Sequence, residues 1–388
     1  MTRPGDFPTV GIVGAGQLAR MCVGPVVELG VRLRVLAETP DDPAARVTPD
    51  TVVGDYRDLA TLRAFAAGCD VVTFDHEHVP TAHLAALQAD GVPVRPSPEA
   101  LVHGQDKQVM RERLGALGVP VPRWAPIASA EDVEKFVAST ADGRAVLKTT
   151  RGGYDGHGVA VVDASTAGAR AQAWLGDGAT LLVEELVPFT RELSALVARS
   201  PSGQAVAYPV VESVQVEGVC REVYAPAPGL SADHALAAQR AALAVAGDIG
   251  LVGVMAVELF DTADGVLVSE LALRLHNTGH WTIEGAVTSQ FEQHLRAVLN
   301  LPLGDPGPVA THAVMVNVLG GDDPAVTDLY PAYLHCMARD PGLKIHVYGK
   351  QVRAGRKVGH VTVTGTDLAD LQQRARHAAA YLRGDVDE

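Results

Sequence analysis

The segment Lys148-Thr-Thr-Arg-Gly-Gly-Tyr-Asp-Gly-His-Gly158 determines how the middle of this 388-residue chain is interpreted. Runs of apolar residues that predict β-strands flank it at 146–148 and 159–162. Since Lys148 comes directly before the loop, the pattern favours a mobile loop that covers a polyphosphate over an ordinary glycine-rich surface hairpin. Four glycines would let the backbone approach phosphate oxygens: Gly152, Gly153, Gly156 and Gly158.

Two glutamates further along the chain flank a predicted turn, Asp261-Thr-Ala-Asp-Gly265, between two predicted strands. Depending on the turn, Glu258 lies opposite Val268 or Glu270, and we expect both carboxylates to project from one face of the hairpin. Two adjacent carboxylates attract a cation such as Mg²⁺, although exposed hairpin glutamates are also common. Together with the glycine-rich loop, the pair predicts an ATP-dependent ligase.

Two further polar clusters follow. The segment Arg274-Leu-His-Asn-Thr-Gly-His-Trp281 places polar and ring-bearing groups directly after a strand, which is typical of a substrate loop. His276 or His280 taken singly is more often structural. Near the C-terminus, Arg353-Ala-Gly-Arg-Lys357 gathers three cations around a glycine and could bind a phosphate monoester, with a solvated turn as the alternative.

The N-terminal residues predict a βαβ unit with strands at 9–13 and 31–37 and a helix at 18–29. Its turn, Gly14-Ala-Gly-Gln-Leu-Ala19, fits the dinucleotide pattern, and Glu38 ends the next strand where a ribose-binding acid is expected. Taken alone, this predicts an NAD(P)-dependent oxidoreductase. Because such turns accept any phosphate monoester or carboxylate, dinucleotide binding is the weaker interpretation.

Composition limits the class of protein. The chain has 46 acidic and 32 basic side chains and a net charge of −14, which argues against a nucleic-acid-binding surface. The four cysteines include no CxxC pair, so neither a zinc site nor a disulfide framework is indicated, and a reducing cytoplasm fits. No apolar stretch approaches the roughly 18 residues that span a bilayer, so we expect neither membrane insertion nor secretion.

The chain is long for a single core, so we expect two or three domains that share a cleft. After the βαβ unit, a strand at 92–94 and a helix at 106–117 are predicted, and Val119-Pro-Val-Pro122 resembles a linker. The following residues predict a large antiparallel sheet with some helices. The segments that carry this pattern are strands at 181–185, 192–198, 206–211, 252–260, 266–271, 313–318 and 344–348, with helices at 290–299 and 368–382.

Nearly the whole chain resembles the ATP-grasp superfamily and, within it, the family of 5-(carboxyamino)imidazole ribonucleotide synthetases. Five segments carry the resemblance in this order: Gly14-Ala-Gly-Gln-Leu-Ala-Arg-Met21, Thr73-Phe-Asp-His-Glu-His-Val79, Gly152-Gly-Tyr-Asp-Gly156, Arg274-Leu-His-Asn-Thr-Gly-His-Trp281 and Gly355-Arg-Lys-Val-Gly-His360. The chain departs from the family at Ser269 and Leu273, where asparagine and proline are usual. It also has Asp75-His76-Glu77 where another glutamate is common.

The resemblance implies an ATP-grasp fold of mixed α/β and α+β class. Its parts would be an N-terminal parallel-sheet βαβ domain at 1–104, a small central lid domain at 105–186 and a larger C-terminal antiparallel-sheet domain at 187–388. ATP would bind between the last two domains, with Mg²⁺, or alternatively Mn²⁺, on Glu258 and Glu270. The implied ATP-binding residues are Lys107, Lys148, Gly152, Gly153, Tyr154, Asp155, Gly156, Gly158, Glu184, Glu185, Leu186, Val187 and Glu192.

The implied reaction joins bicarbonate to aminoimidazole ribonucleotide at the expense of ATP, through carboxyphosphate, in purine biosynthesis. The resemblance suggests a cytoplasmic homodimer with small-molecule substrates and no nucleic-acid or membrane partner. The residues around bicarbonate would be Arg274, His276 and Asn277, with Lys357 as a further catalytic residue. The residues around the ribonucleotide would be Gln17, Asp75, Tyr154, Asp155, Arg353, Arg356 and Lys357.

Two other functions remain open besides the oxidoreductase. A formate-using glycinamide ribonucleotide transformylase would share the glycine-rich loop and the paired glutamates, but Arg274-Leu-His-Asn277 and Gly355-Arg-Lys357 favour the bicarbonate enzyme. A non-catalytic regulator would bind ATP and release no ADP with any acceptor.

Overall fold

The computed structural model describes residues 7–153, 157–321, 323 and 326–386. The first sheet has four parallel strands in the order β3-β2-β1-β4, and it confirms the predicted βαβ unit. Its strands are Thr9–Val13 (β1), Arg32–Ala37 (β2), Asp50–Val53 (β3) and Val71–Phe74 (β4). The helices of this part are Gln17–Met21 (α1), Val23–Leu29 (α2), Leu59–Ala66 (α3), Thr81–Ala89 (α4) and Pro98–Gln105 (α5).

Two N-terminal predictions were wrong in detail. The helix predicted at 18–29 is divided at Cys22 into α1 and α2. Pro25 explains the break, because in a continuous helix its ring would clash with the carbonyl of Met21 and it has no N–H to donate. The strand predicted at 92–94 is reduced to a single bridge between Val72 and Val94.

The second sheet has four antiparallel strands in the order β5-β8-β6-β7. The glycine-rich loop connects β6 to β7, as predicted. The strands are Trp124–Ile127 (β5), Arg144–Thr149 (β6), Val159–Asp163 (β7) and Leu181–Glu185 (β8), and the helices before and between them are Lys107–Ala116 (α6), Ala130–Ala138 (α7) and Ala167–Gly176 (α8).

The third sheet has nine antiparallel strands in the order β14-β13-β9-β11-β12-β15-β17-β16, with β10 paired to β9. The strand predicted at 206–211 is in fact two, β10 and β11. The strands are Arg191–Arg199 (β9), Ala205–Ala207 (β10), Val211–Val216 (β11), Val219–Ala225 (β12), Gly253–Thr262 (β13), Gly265–Ala272 (β14), His312–Leu319 (β15), Lys344–Val347 (β16) and Lys357–Gly365 (β17). The helices are Ala232–Asp248 (α9), Thr282–Gly285 (α10), Gln290–Val298 (α11), Tyr333–Arg339 (α12) and Leu368–Arg383 (α13), with 3-10 turns at Asn277–Gly279 and Tyr330–Ala332.

The first and third sheets share hydrophobic cores. Phe291 of α11 packs in one buried cluster with Val10 and Ile12 of β1. The Nε2 atom of His294, on the same helix, lies 2.8 Å from the Thr73 hydroxyl of β4. Strands β1 and β4 are therefore held against α11, a helix in the segment that follows β14. No helix in the described ranges is long and apolar enough to cross a membrane.

Candidate active site

Glu258 of β13 and Glu270 of β14 are register partners in the hairpin. The turn alone would place Ser269 opposite Glu258, because Leu259 pairs with Val268. A β-bulge between Glu258 and Leu259 leaves Ser269 as the extra residue on β14. Cross-strand partners share a face of a sheet, so the bulge brings the two carboxylates together. This resolves the alternative between Val268 and Glu270 in favour of Glu270.

Basic side chains contact both carboxylates. Lys107 Nζ lies 2.7 Å from Glu270 Oε1, and His276 Nε2 lies 3.2 Å from Glu258 Oε1. Burial alone would raise the pKa of Glu258. The hydrogen bond from His276, its charge, and then the charges of Lys107 and Arg274 outweigh burial and lower that pKa below its ordinary value. The lowered pKa keeps the Glu258 carboxyl ionised, as a metal ligand must be, and Lys107 places a positive charge beside it that could meet a phosphate.

Lys148 lies beside a second, deeply buried carboxylate. Its Nζ atom is 2.6 Å from Glu184 Oε2, while Arg111 Nε is 2.6 Å from Glu184 Oε1. Burial raises the pKa of Glu184, but the charges of Lys148 and Arg111 and their hydrogen bonds lower it to about 2. The Glu184 side chain is 2% exposed, so it holds Lys148 rather than facing open space. Any contact from Glu184 to an adenine ring would come from its backbone.

The glycine-rich loop leaves β6 after Thr149, the residue that follows Lys148. Gly152 and Gly158 have φ values of +78° and +70°, a region that side chains rarely adopt. A Cβ atom on Gly153 would lie 2.8 Å from the His157 carbonyl oxygen. These positions therefore need glycine for the path of the backbone. Tyr154, Asp155 and Gly156 lie outside the described residues.

The segment after β8 leads from the second sheet to the third. Glu185 Oε2 pairs with Arg123 Nε at 3.2 Å, and Leu186 and Val187 are half-buried. Glu192 lies on β9, where its register partner is Phe260 of β13. Glu258 lies two residues before Phe260 on β13. Burial, together with the charge of Glu258, raises the pKa of Glu192 to about 7. Of the predicted ATP-binding residues, Lys148 and Glu184 to Val187 thus lie on or directly after strands of the second sheet, and Glu192 lies on the third sheet.

The polar loop after β14 is held by side chains from elsewhere in the fold. Arg274 Nε lies 3.3 Å from Glu77 Oε2, and Glu77 Oε1 accepts the Leu273 N–H at 2.6 Å. The Asn277 and Asn317 amides bond each other reciprocally at 2.9 and 2.7 Å. His276, Arg274 and Asn277 are therefore oriented by separate partners around the end of β14.

The N-terminal turn wraps around the Asp75 carboxylate. The Gly16 N–H donates to Asp75 Oδ2, and a Cβ atom on Gly14 would lie 1.9 Å from Asp75 Oδ1. Burial raises the pKa of Asp75 to about 6 against the opposing effects of Gly16, Arg274 and Lys350. Gln17 begins α1 beside this turn and is half-buried. A carboxylate of the chain occupies the place that a dinucleotide pyrophosphate would need, which disfavours the oxidoreductase.

The C-terminal cations lie on a loop that reaches the first sheet. Arg353 and Arg356 are exposed and both bond Gln351. Lys357 begins β17. Burial lowers the pKa of His280, and the charge of Lys357 adds to this effect. The loop is tied to the N-terminal part by Arg46, whose Nη1 donates to the Gly349 carbonyl at 3.2 Å. Arg353 and Arg356 thus lie on the surface of this loop, and Lys357 is half-buried at the start of β17.

The sequence interpretation missed three residues of this site. Arg111 lies one helical turn after Lys107 on α6, so helical spacing could have found it. Asn317 is the one amide within the apolar strand β15, a signal that was present but unused. Glu77 lies in one of the motifs that carry the resemblance, but its contact with Arg274 joins residues too far apart in sequence to be predicted.

Three family models match successive parts of the chain. Residues 112–291 match the ATP-grasp domain family, residues 7–105 the ribonucleotide synthetase preATP-grasp domain, and residues 313–374 the phosphoribosylaminoimidazole carboxylase C-terminal domain. A relative from Mycobacterium tuberculosis (strain ATCC 25618 / H37Rv), named N5-carboxyaminoimidazole ribonucleotide synthase, is 55% identical over 377 residues, which cover 97% of this chain and 88% of the relative.

Two solved structures have the same overall fold. N5-carboxyaminoimidazole ribonucleotide synthetase from Thermus thermophilus matches with a TM-score of 0.84 and 37% identity, covering 98% of this chain and 99% of that one. The Aspergillus clavatus synthase in complex with ADP and 5-aminoimidazole ribonucleotide matches with a TM-score of 0.88 and 30% identity, covering 97% and 99%. These likenesses confirm the predicted ATP-grasp fold. The chain belongs to the family of N5-carboxyaminoimidazole ribonucleotide synthases.

Proposed function

We propose that this chain uses ATP and bicarbonate to carboxylate 5-aminoimidazole ribonucleotide, with N5-carboxyaminoimidazole ribonucleotide, ADP and phosphate as products, in de novo purine biosynthesis. The observation that carries the proposal is the register pairing of Glu258 with Glu270 beside Lys107 and the Arg274 to Asn277 loop. This arrangement combines a phosphate and metal site with an anion site at the end of the same strand. The relatives' names and their ligand-bound structures support the substrate assignment.

ATP would lie between the second and third sheets. Lys107 and Lys148 would neutralise its phosphates, and the loop with Gly152, Gly153, Tyr154, Asp155, Gly156 and Gly158 would close over them. Residues 184–187 would line the adenine, with Leu186 and Val187 as its apolar contacts. Glu192 would accept hydrogen bonds from the ribose hydroxyls.

The carboxylates of Glu258 and Glu270 fit Mg²⁺, because this cation takes hard oxygen ligands and usually keeps water and substrate phosphates among them. Among the described residues, no group of three or more His, Cys, Asp or Glu side chains could hold a metal ion. Glu258 and Glu270 would thus supply the protein ligands of a metal that arrives with ATP; Mn²⁺ could replace it. When bound, the metal supplies charge neutralisation at the transferred phosphoryl group.

Bicarbonate is a poor electrophile, so its activation as carboxyphosphate is the purpose of the ATP. Arg274 would stabilise the developing anion, with His276 and Asn277 orienting bicarbonate next to the phosphate to be transferred. The exocyclic amine of the ribonucleotide then attacks the activated carbon, and the released phosphate can accept the amine proton. Because carboxyphosphate hydrolyses readily, closure of the glycine-rich loop would also exclude water.

The ribonucleotide would lie between the first sheet and the loop before β17. Gln17, Asp75, Tyr154 and Asp155 would contact its imidazole and ribose. Its phosphate would meet Arg353, Arg356 and Lys357, which are cations in an otherwise acidic chain. Burial raises the pKa of Asp75, and the charge of Lys350 opposes this rise, so the loop before β17 and the first sheet lie within electrostatic reach of each other. This supports the proposed location of the ribonucleotide between them.

Three organisational features belong to the same proposal. The domains would be 1–104, 105–186 and 187–388, a division supported by the three separate sheets. The enzyme would act as a homodimer, as the family resemblance suggests. A cytoplasmic location is supported by the four cysteines, which are all free thiols.

ADP release by the purified protein tests the function. Mg²⁺ and ATP are supplied with aminoimidazole ribonucleotide and bicarbonate, and each substrate is then omitted in turn. We expect ADP release that depends on both. Release with formate and glycinamide ribonucleotide instead would replace the substrate assignment, and ATP binding without ADP release in either mixture would favour the non-catalytic regulator.

A further inference from the structure

We propose that Arg111 is a positioning residue for ATP use: it fixes the β-bulge that aligns the two metal-binding carboxylates and, through Glu184, the phosphate-binding Lys148. The inference rests on the proposed use of ATP and Mg²⁺. It assigns a function to a buried arginine that lies outside the predicted substrate contacts.

The Arg111 side chain is fully buried, and each of its three nitrogens has a partner. Nε donates to Glu184 Oε1 at 2.6 Å, Nη1 to the Val268 carbonyl at 3.1 Å and Nη2 to the Ser269 carbonyl at 2.7 Å. Two of these bonds cross from helix α6 to strand β14. A buried guanidinium with this many directed bonds holds its partners in one geometry.

Ser269 is the extra residue of the bulge that makes Glu258 and Glu270 partners. In a regular ladder Ser269 would pair with Glu258, and Glu270 would then project from the opposite face, since successive residues of a strand alternate in direction. Arg111 binds the carbonyls of Ser269 and of Val268 before it, so it stabilises the backbone path of the bulge. Loss of that support would move Glu270 relative to Glu258.

The Arg111 guanidinium also positions Lys148 of the second sheet, through their shared contact with Glu184. The two oxygens of this buried carboxylate are divided between Arg111 and Lys148, each at 2.6 Å. Lys107, one turn before Arg111 on α6, contacts Glu270 itself. One face of α6 therefore connects the lysine of the second sheet with the metal-binding edge of the third, in the cleft where ATP would lie.

The Arg111→Lys variant tests this role with the charge retained. A lysine can still pair with Glu184, but a single ammonium on a flexible stem cannot reproduce the planar fork that reaches two carbonyls. We expect the Mg²⁺ concentration for half-maximal rate and the KM for ATP to rise by about tenfold or more. The KM for aminoimidazole ribonucleotide should stay within about twofold, since its proposed contacts lie elsewhere.

Arg113→Lys is the matched control. Arg113 lies on the same helix, is partly exposed and pairs with Asp248 away from the carboxylates, so its replacement should leave the Mg²⁺ and ATP dependence unchanged. Unchanged values in Arg111→Lys, or an equal change in the control, would overturn the proposal. A uniform loss in which every KM and kcat moves together would also overturn it, because it would indicate a purely structural role.

Direct titration of MgADP separates this inference from the proposed reaction. Wild type, Arg111→Lys and Arg111→Met are compared by calorimetry, with far-UV circular dichroism as the check of folding. Weaker MgADP binding by folded Arg111→Lys supports the inference even if no ribonucleotide is carboxylated. Equal binding by wild type and Arg111→Lys refutes it, whether or not Arg111→Met folds.

Discussion

Glu77 follows a strand of the first sheet, Arg274 follows a strand of the third, and their side chains meet with Oε2 and Nε 3.3 Å apart. The other Glu77 oxygen accepts the N–H of Leu273, directly before Arg274. Leu273 stands where the family usually has proline, which could not donate this bond. One carboxylate thus orients both the backbone and the guanidinium of the loop that we propose binds bicarbonate.

Replacement of Glu77 by glutamine should lower kcat about tenfold and leave the KM for ATP nearly unchanged. Glutamine keeps an acceptor for the Leu273 N–H but loses the charge that holds Arg274, a loss of about 1.5 kcal/mol for a charge-assisted bond. Steady-state kinetics with ATP and bicarbonate varied separately would measure this. The control is Glu38→Gln, because Glu38 is exposed and its carboxylate lies 3.9 Å from Arg57, which is too far for a hydrogen bond. A larger effect on ATP than on bicarbonate would contradict the assignment.

Substitution of Glu270 by glutamine should reduce turnover by about a hundredfold or more while the fold stays intact. The change removes one of two opposed carboxylates and leaves Lys107 without its anionic partner. Mg²⁺-dependent ADP release and circular dichroism would be measured together. Asp264→Asn, at the tip of the same hairpin, is the control. Undiminished activity in Glu270→Gln would refute the metal assignment.

The pH dependence of stability should reveal Glu192. Its folded pKa of about 7 exceeds its ordinary value, so the native state binds more protons than the unfolded state between about pH 4.5 and 7. The free energy of unfolding therefore falls as pH rises through this window, by about 1 to 2 kcal/mol after allowance for partial exposure. Denaturant unfolding of wild type and Glu192→Gln at pH 5 and pH 8, without nucleotide, tests this. The same pH dependence in both proteins would exclude Glu192 as the source.

Gly14→Ala should disrupt the N-terminal turn. The added Cβ atom would lie 1.9 Å from Asp75 Oδ1, at a φ of +97° that alanine rarely adopts. We expect the KM for the ribonucleotide to rise by about tenfold or more as Asp75 is displaced. Gly24→Ala is the matched control, because nothing lies within 4 Å of its Cβ and it is helical, so it should be neutral or stabilise by about 0.5 to 1 kcal/mol. Equal KM values for the two variants would contradict the proposed binding position.

Local patterns predicted much of the fold. The apolar runs of β1, β6, β8 and β13 and the helix α6 were predicted from the sequence, because the spacing of apolar residues is a short-range signal. The break at Cys22 was missed although Pro25 was visible, since the helical pattern on both sides is continuous. The split of 206–211 into β10 and β11 could not be predicted, because it depends on pairing with β9 and β12.

The order of amino acids specifies which chemical groups are present and which stretches carry them: a glycine-rich loop after Lys148, two glutamates around a turn, and an arginine-histidine-asparagine loop after the second strand. How these groups meet depends on the folded chain. The partners of Glu184 and Arg274 come from distant segments, and the pairing of Glu258 with Glu270 depends on a bulge held by Arg111, 158 residues from Ser269. The physical reason is the twofold alternation of a strand: a shift of one residue reverses the face of a side chain, and only contacts with the rest of the fold select the register.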